Sequence, residues 1–409
     1  MLRKYYHLVI VFTGVLSYMI TFGLCNNILS LYLPFIEEQD FVSASAGSLT
    51  ITVRCVAAFL ATFVVVKFYD RVSLRLGLCL STLVAAAGVA LTGIGGSLFI
   101  YYLGAVLMGI GFTMAGVVPS ALLLKNWFRG RLGLATGISS AGSGLASMVF
   151  SPVFSKIILR RSLRAALMVQ AGLMAFFALL LFLLVRDNPE QMGRAPYGES
   201  GTGGKAGRSA AARGVCEKSP STRVFVVLAV MMTFVGGVST TGSSHLCILN
   251  TSCGYSADTA ARALSLFSFM LIVGKLTAGA MADAIGSRKA GITLMMAYFV
   301  ACLLTWGMDG QALFWSVAMA LVLGWGGSAF ALFPPLWSAE TAPPRDYARV
   351  LQWMQRFFNF GGIVMSPLPG LIADKAGEYR SSFMLLAAAM VGASLLLQWV
   401  YRVQRGRDI

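Results

Sequence analysis

Residues 257–289 read ADTAARALSLFSFMLIVGKLTAGAMADAIGSRK. Between Arg262 and Asp283, twenty positions hold a single charge, Lys275. As a helix rising 1.5 Å per residue, twenty residues cross a hydrocarbon core of ~30 Å. The stretch is therefore expected to span a membrane and to end at Asp283, Gly286, Arg288 and Lys289. A lysine inside such a span costs ~2.5–3.5 kcal/mol even on lenient insertion scales, so it calls for a function.

The same pattern recurs along all 409 residues, of which 57% are hydrophobic and 12% charged. With a mean hydropathy of +0.76 the composition is that of a polytopic membrane protein, and the run lengths favour helices over a barrel. Twelve spans are expected: 7–33, 45–66, 76–95, 98–124, 134–154, 165–185, 224–249, 257–282, 290–306, 312–332, 350–373 and 382–400. The first is too long for a signal peptide and lacks a small-residue cleavage site, so it is read as a retained helix.

The net charge of +16 does not imply nucleic acid, because the cations lie between spans and on alternate sides. With the N-terminus inside, 22 of the 32 lysines and arginines face the cytoplasm and seven face outward. Both termini are then expected in the cytoplasm of a cell-membrane protein. The outward loop with Lys156, Arg160, Arg161 and Arg164 breaks the pattern. The seven cysteines show no metal-ligand spacing, and neither a metal nor a cofactor is expected. Cys247 and Cys253 flank an outward loop as a bridge or as free thiols.

Residues 186–223 turn to Gly, Ser, Ala and scattered charge, the composition of a flexible linker. It separates a six-helix half at 1–185 from another at 224–409. Asp70 and Asp283, Pro119 and Pro334, and Pro152 and Pro367 recur at offsets of 213, 215 and 215. Three markers in one register argue for a duplication, as in two-half transporters built from parallel repeats.

Gly279, Asp283, Gly286, Arg288 and Lys289 resemble the loop signature of the major facilitator superfamily. The first-half copy is reduced to Asp70, Arg71 and Arg75, with Val66 and Ser73 where glycines would stand. A narrower resemblance runs through Gly109, Gly111, Pro119, then Asn126-Trp127-Phe128-Arg129 and Gly137, then Gly142, Gly144 and Pro152. It is similar to the monocarboxylate porter and oxalate/formate antiporter branch, with Leu132 departing from a second arginine. The resemblance implies an all-α membrane protein of twelve helices in two pseudo-symmetric halves. It also implies that Asp70, Arg71, Asp283, Arg288 and Lys289 brace the halves during gating; the bland alternative is that they anchor helix ends at the headgroups.

None of the sixteen carboxylates lies deep in a span, whereas Arg54, Lys275 and Arg356 do. Interior charge of one sign suits an anion. Lys275 and Arg356 stand at matching depths, about 12 and 10 Å from the cytoplasmic ends of spans eight and eleven, and could grip one carboxylate. In the anion-transporting branch the pattern in span eight is Gly-Arg, and Gly274-Lys275 keeps the charge without the planar fork. Oxalate-type members carry a lysine where this chain has Asn359, with Arg356 one turn away. Snorkelling is the alternative for Lys275 and Arg356, and helix packing for Arg54. His245 suits proton sensing or an interfacial cap. Asn26, Asn27, Tyr18, Trp325 and Trp337 serve either substrate contact or packing.

No phosphate-binding Gly-x-x-x-x-Gly-Lys-Ser/Thr motif and no catalytic cluster is present, so neither an ATP-driven pump nor an enzyme is expected. The expectation is a secondary transporter of a small organic anion, a mono- or dicarboxylate, acting as a monomer in the lipid bilayer. It would work as an exchanger or a proton symporter, because no span carries a carboxylate to hold a coupling proton alone. The alternatives are a carrier for another amphipathic compound and a non-transporting sensor of the same fold.

Overall fold

A computed structural model describes residues 5–37, 43–128, 132–193, 195–197, 221–343 and 346–405. The described residues are almost entirely helical. Among the described residues ten helices are long and apolar enough to cross a membrane, and the remaining two expected spans are a shorter apolar helix, Ala44–Ala61, and a broken pair, Tyr347–Met365 and Leu368–Ala376.

The chain divides into two compact units. Unit one comprises residues 1–42 and 53–207. It holds α1 (Tyr6–Tyr18), a π-helical segment (Met19–Asn27), α2 (Leu29–Glu37) and the later part of α3 (Ala44–Ala61). It continues through α4 (Val65–Tyr69), α5 (Leu74–Ile94), α6 (Leu98–Met114), α7 (Val117–Trp127), α8 (Leu132–Arg160) and α9 (Leu163–Leu184). Unit two comprises residues 43–52 and 208–409. Its helices are α10 (Thr222–Ser244), α11 (Leu246–Ser252), α12 (Ala257–Ile285), α13 (Ser287–Leu304), α14 (Leu313–Gly327), α15 (Ala329–Thr341), α16 (Tyr347–Met365), α17 (Leu368–Ala376) and α18 (Arg380–Arg405).

Local chemistry sets these limits. Ser73, Ser162, Ser221 and Ser256 accept backbone N–H groups as N-caps of α5, α9, α10 and α12. Gly286 ends α12 at φ +88°, a conformation that a side chain would strain. Several expected spans are each two helices. Pro119 and Pro367 lack a donor, and the spans containing them break at Gly116 and Ser366. Another span breaks at His245.

The outward helix faces differ from those of a water-soluble protein in being apolar. On α5, Leu76, Leu80 and Leu83 are exposed, while Leu78, Ala85 and Val89 are buried. An apolar face turned outward suits lipid, and the inner face packs the bundle.

The repeat is visible in packing. In unit one α5 packs on α6 and α9, and α1 on α8; in unit two α13 packs on α14 and α18, and α10 on α16. Glycines fill matching places. A Cβ on Gly111 would sit 2.7 Å from the Ser81 carbonyl, and one on Gly326 2.7 Å from that of Leu294. A Cβ on Gly109 would collide with the Arg54 carbonyl, and one on Gly324 with that of Phe267. Each pair keeps the 213- or 215-residue offset of the duplication. Only glycine lets these backbones touch.

Candidate functional site

In unit one the candidates converge on Arg54. It projects from α3 with 2% of its surface exposed, and one guanidinium NH2 donates to Asn26 Oδ1 at 2.8 Å. Its Cζ lies 5.5 Å from the centre of the Phe112 ring, and Cys55 Sγ is 3.9 Å from the same NH2. Nε is buried without an acceptor. These partners are neutral, so the buried charge is solvated by dipoles alone, an arrangement whose desolvation cost is several kcal/mol.

The π segment supplies the asparagines. Its wide turn carries Asn26 and Asn27 side by side, and such segments recur at functional places. Asn26 Nδ2 donates to Asn27 Oδ1 at 3.1 Å, and Asn27 Nδ2 to Ser147 Oγ at 3.2 Å. A polar relay thus runs from Arg54 to α8. Tyr18, itself buried, stacks on Phe22 at 5.7 Å, and Phe22 meets Phe112 edge-on at 4.9 Å. Arg54, Asn27 and Tyr18 therefore belong to one cluster, to which the structure adds Phe112 and Ser147.

In unit two Lys275 is buried on α12, which packs on α14 and α13. Beside it, Gly274 fits against Ser328: a Cβ there would lie 2.7 Å from the Ser328 Cβ. Trp325 donates its indole N–H to Thr277 at 3.0 Å, on a face of α12 that is exposed. Arg356 is half-buried on α16, a helix that packs on α10, and its guanidinium lies 4.7 Å over the Trp353 ring. Asn359 is half-buried one turn further along.

His245 is fully buried between α10 and α11. Its Nδ1 lies 2.9 Å from the Thr241 carbonyl, and its Nε2 3.0 Å from Ser48 Oγ. A carbonyl can only accept, so Nδ1 carries the proton and Nε2 receives the Ser48 hydroxyl. The start of α3 is further held by Asp374, which accepts from Ser45 N at 3.1 Å, and by Ser366, 2.9 Å from Thr52 Oγ1.

Among the loop residues, Asp70, Arg71 and Lys289 are exposed, and the Asp283 side chain lies outside the described residues. Arg288 is half-buried with its Nε lacking an acceptor. At this end of unit two Glu340 accepts from Ser287 Oγ at 2.5 Å and from the Tyr401 hydroxyl. In unit one Asp187 likewise holds the start of a helix, accepting from Leu74 N at 3.0 Å and Arg75 N at 2.9 Å at the head of α5. Neither was singled out in the sequence, because each follows the end of an expected span.

The branch-like stretch holds the chain leaving α9. Asn126 Nδ2 donates to the Asp187 carbonyl at 3.0 Å and Trp127 Nε1 to that of Arg186 at 2.7 Å. Tyr197 N donates to the Trp127 carbonyl at 2.8 Å, and its ring stacks on His7 at 4.5 Å. Cys247 and Cys253 are free thiols.

Comparison with known proteins follows the same lines. Human monocarboxylate transporter 12 is 25% identical over 372 residues, covering 83% of this chain and 69% of its own. Bovine monocarboxylate transporter 13 is 24% identical over 92% of this chain and 85% of its own. An MFS-type transporter of Gibberella moniliformis is 22% identical over 94% and 89%. Among solved structures, nucleoside transporter NupG superposes with a TM-score of 0.73 at 13% identity over 96% of this chain and all of its own. A bacterial homologue of the lysosomal transporter Spinster, inward-facing and occupied, gives 0.69 at 15% over 98% and 97%. These two likenesses carry the fold alone. The profile of the Major Facilitator Superfamily matches residues 11–248 and 226–408, and the chain belongs to that superfamily of membrane transporters.

Proposed function

We propose that the chain carries a small organic anion, a monocarboxylate or short dicarboxylate, across the cell membrane by alternating access. The observation that carries this reading is Arg54, a guanidinium with 2% exposure whose bonding partners are neutral and whose Nε has no acceptor. A carboxylate arriving there would supply the missing charge and take hydrogen bonds that neutral solutes cannot accept as strongly. Within unit two, buried Lys275, with Arg356 and Asn359 on α16, is a separate candidate for contact with an anion. The aromatic rings of Tyr18, Phe22 and Phe112 favour an anion with an apolar body. The relatives named as monocarboxylate transporters support the same substrate class.

Coupling is by exchange or by a proton entering with the anion, the transporter works as a monomer, and both termini face the cytoplasm. Asp70, Arg71, Asp283, Arg288 and Lys289 are assigned to gating, with His245 as the proton-sensing candidate. The test is uptake into proteoliposomes of a panel of labelled mono- and dicarboxylates beside neutral amphipathic solutes. Accumulation of a carboxylate, competed by other carboxylates, supports the reading. Transport of neutral solutes alone would favour a carrier of another compound, with the cations serving packing; no transport of any member would favour a sensor.

A further inference from the structure

The turn between α8 and α9 gathers Lys156, Arg160, Arg161 and Arg164 within nine residues, all four exposed. Only Arg161 and Ser162 separate the helices, and Ser162 caps α9 by accepting the Ala165 N–H at 3.1 Å, so the turn is short and tied. The corner lies at the end of unit one opposite Asp187, because α9 runs from it, Leu163–Leu184, to end three residues before Asp187.

Left uncompensated, this arrangement is unfavourable three times over. Lys156 and Arg160 repel each other at i,i+4, Arg164 sits in the first turn of α9 where the helix dipole is already positive, and the cluster opposes the charge bias of a membrane protein. No ion pair to these side chains occurs among the described residues.

The helix faces indicate what compensates it. On α8, Val149, Val153, Lys156 and Arg160 follow at +4, +3 and +4, so one face presents two valines, each 45% exposed, and then two cations. On α9, Val169 and Phe176 are 49% and 54% exposed and share one apolar face, about a third of a turn round the helix from Arg164. Apolar surface at chain depth capped by cations at headgroup depth matches one occupant.

We propose that this corner binds an anionic glycerophospholipid, its phosphate held by Lys156, Arg160, Arg161 and Arg164 and its acyl chains lying along Val149, Val153, Val169 and Phe176. The guanidinium forks match phosphate oxygens, and four clustered cations attract a single anionic headgroup more than a zwitterionic one. The site is independent of the transport reading.

The test is native mass spectrometry and thermal unfolding of the full chain titrated with phosphatidylglycerol or phosphatidylcholine. The variants are the combination of Lys156→Gln, Arg160→Gln, Arg161→Gln and Arg164→Gln, and a charge-keeping set of Arg160→Lys, Arg161→Lys and Arg164→Lys. The wild type should retain phosphatidylglycerol over phosphatidylcholine and be stabilised by it. The Gln set should lose at least about tenfold of that preference, and the Lys set, which keeps the charge without the planar fork, should lose less. Should the Gln set fail to fold, Arg160→Gln with Arg161→Gln carries the same expectation at smaller size. Equal phosphatidylglycerol retention by wild type and Gln variants would overturn the proposal. So would stabilisation by inorganic phosphate equal to that by the lipid, or a change confined to the KM for a transported anion with lipid retention unchanged.

Discussion

The Arg54 guanidinium is anchored to Asn26 Oδ1 at 2.8 Å by one nitrogen, while its Nε, equally buried, has no acceptor. A buried charge bonded on one side only is poised for a further partner. Asn26→Leu should therefore destabilise the chain by about 1–3 kcal/mol, since it leaves the guanidinium without its carbonyl and cuts the link through Asn27 to Ser147. Arg54→Gln should be milder in detergent stability and more severe in transport, because it removes the buried charge and the proposed anion contact together. Thermal unfolding beside uptake checks both; a stability loss in Arg54→Gln with full uptake would assign Arg54 to packing.

The glycine contacts give a paired prediction. A Cβ on Gly111 or Gly326 would meet a carbonyl at 2.7 Å in each repeat, so Gly111→Ala and Gly326→Ala should each cost ~1–3 kcal/mol as overpacking. Gly137→Ala, where nothing lies within 4 Å, should be neutral or slightly stabilising. Expression and melting temperature of the three variants decide this, and equal effects would contradict the close-approach account.

Glu340 takes two hydroxyl bonds, from Ser287 and Tyr401, at the loop between α12 and α13. Glu340→Gln keeps one carbonyl oxygen but loses the charge-assisted character of both bonds, and should cost about 1–3 kcal/mol. Tyr401→Phe and Ser287→Ala should each recover part of that loss in a double-mutant cycle with Glu340→Gln. Additive energies would mean the three side chains do not act as a unit.

Much of the architecture was legible because hydrophobic run length is a strong constraint. The expected ends of the spans at 76–95 and 165–185 fall within two residues of α5 and α9, and the offset of Asp70 to Asp283 reappears in the glycine contacts of both units. Breaks at Gly116 and Ser366 trace to Pro119 and Pro367, whose effect on a helix is local. The π segment was not legible, since nothing in Met19–Asn27 marks a widened turn. The Arg54–Asn26–Asn27–Ser147 relay joins three chain segments, and no local pattern announces a contact of that range. Asp187 and Glu340 look like ordinary charges after a span, and only tertiary placement makes one a cap for α5 and the other an acceptor for two hydroxyls.

His245 and Ser48 share a bond of 3.0 Å in which the serine donates to Nε2, because Nδ1 is committed to the Thr241 carbonyl. Ser48→Ala leaves a buried imidazole nitrogen unsatisfied, whereas His245→Leu removes the need for the bond. The pair should be coupled by about 1 kcal/mol, the double variant being no worse than the worse single one. Thermal unfolding of the four proteins checks this. Strict additivity would show that the bond contributes nothing.

The most direct measurement of the central claim is counterflow in proteoliposomes loaded with an unlabelled monocarboxylate, comparing wild type with Arg54→Gln and Lys275→Gln at matched reconstitution. Labelled monocarboxylate should accumulate transiently with the wild type. Each variant should lose on the order of a hundredfold of that rate while inserting normally, as expected when a carboxylate loses a buried cationic partner. Counterflow at wild-type rate in both variants would contradict an anion site built on buried cations.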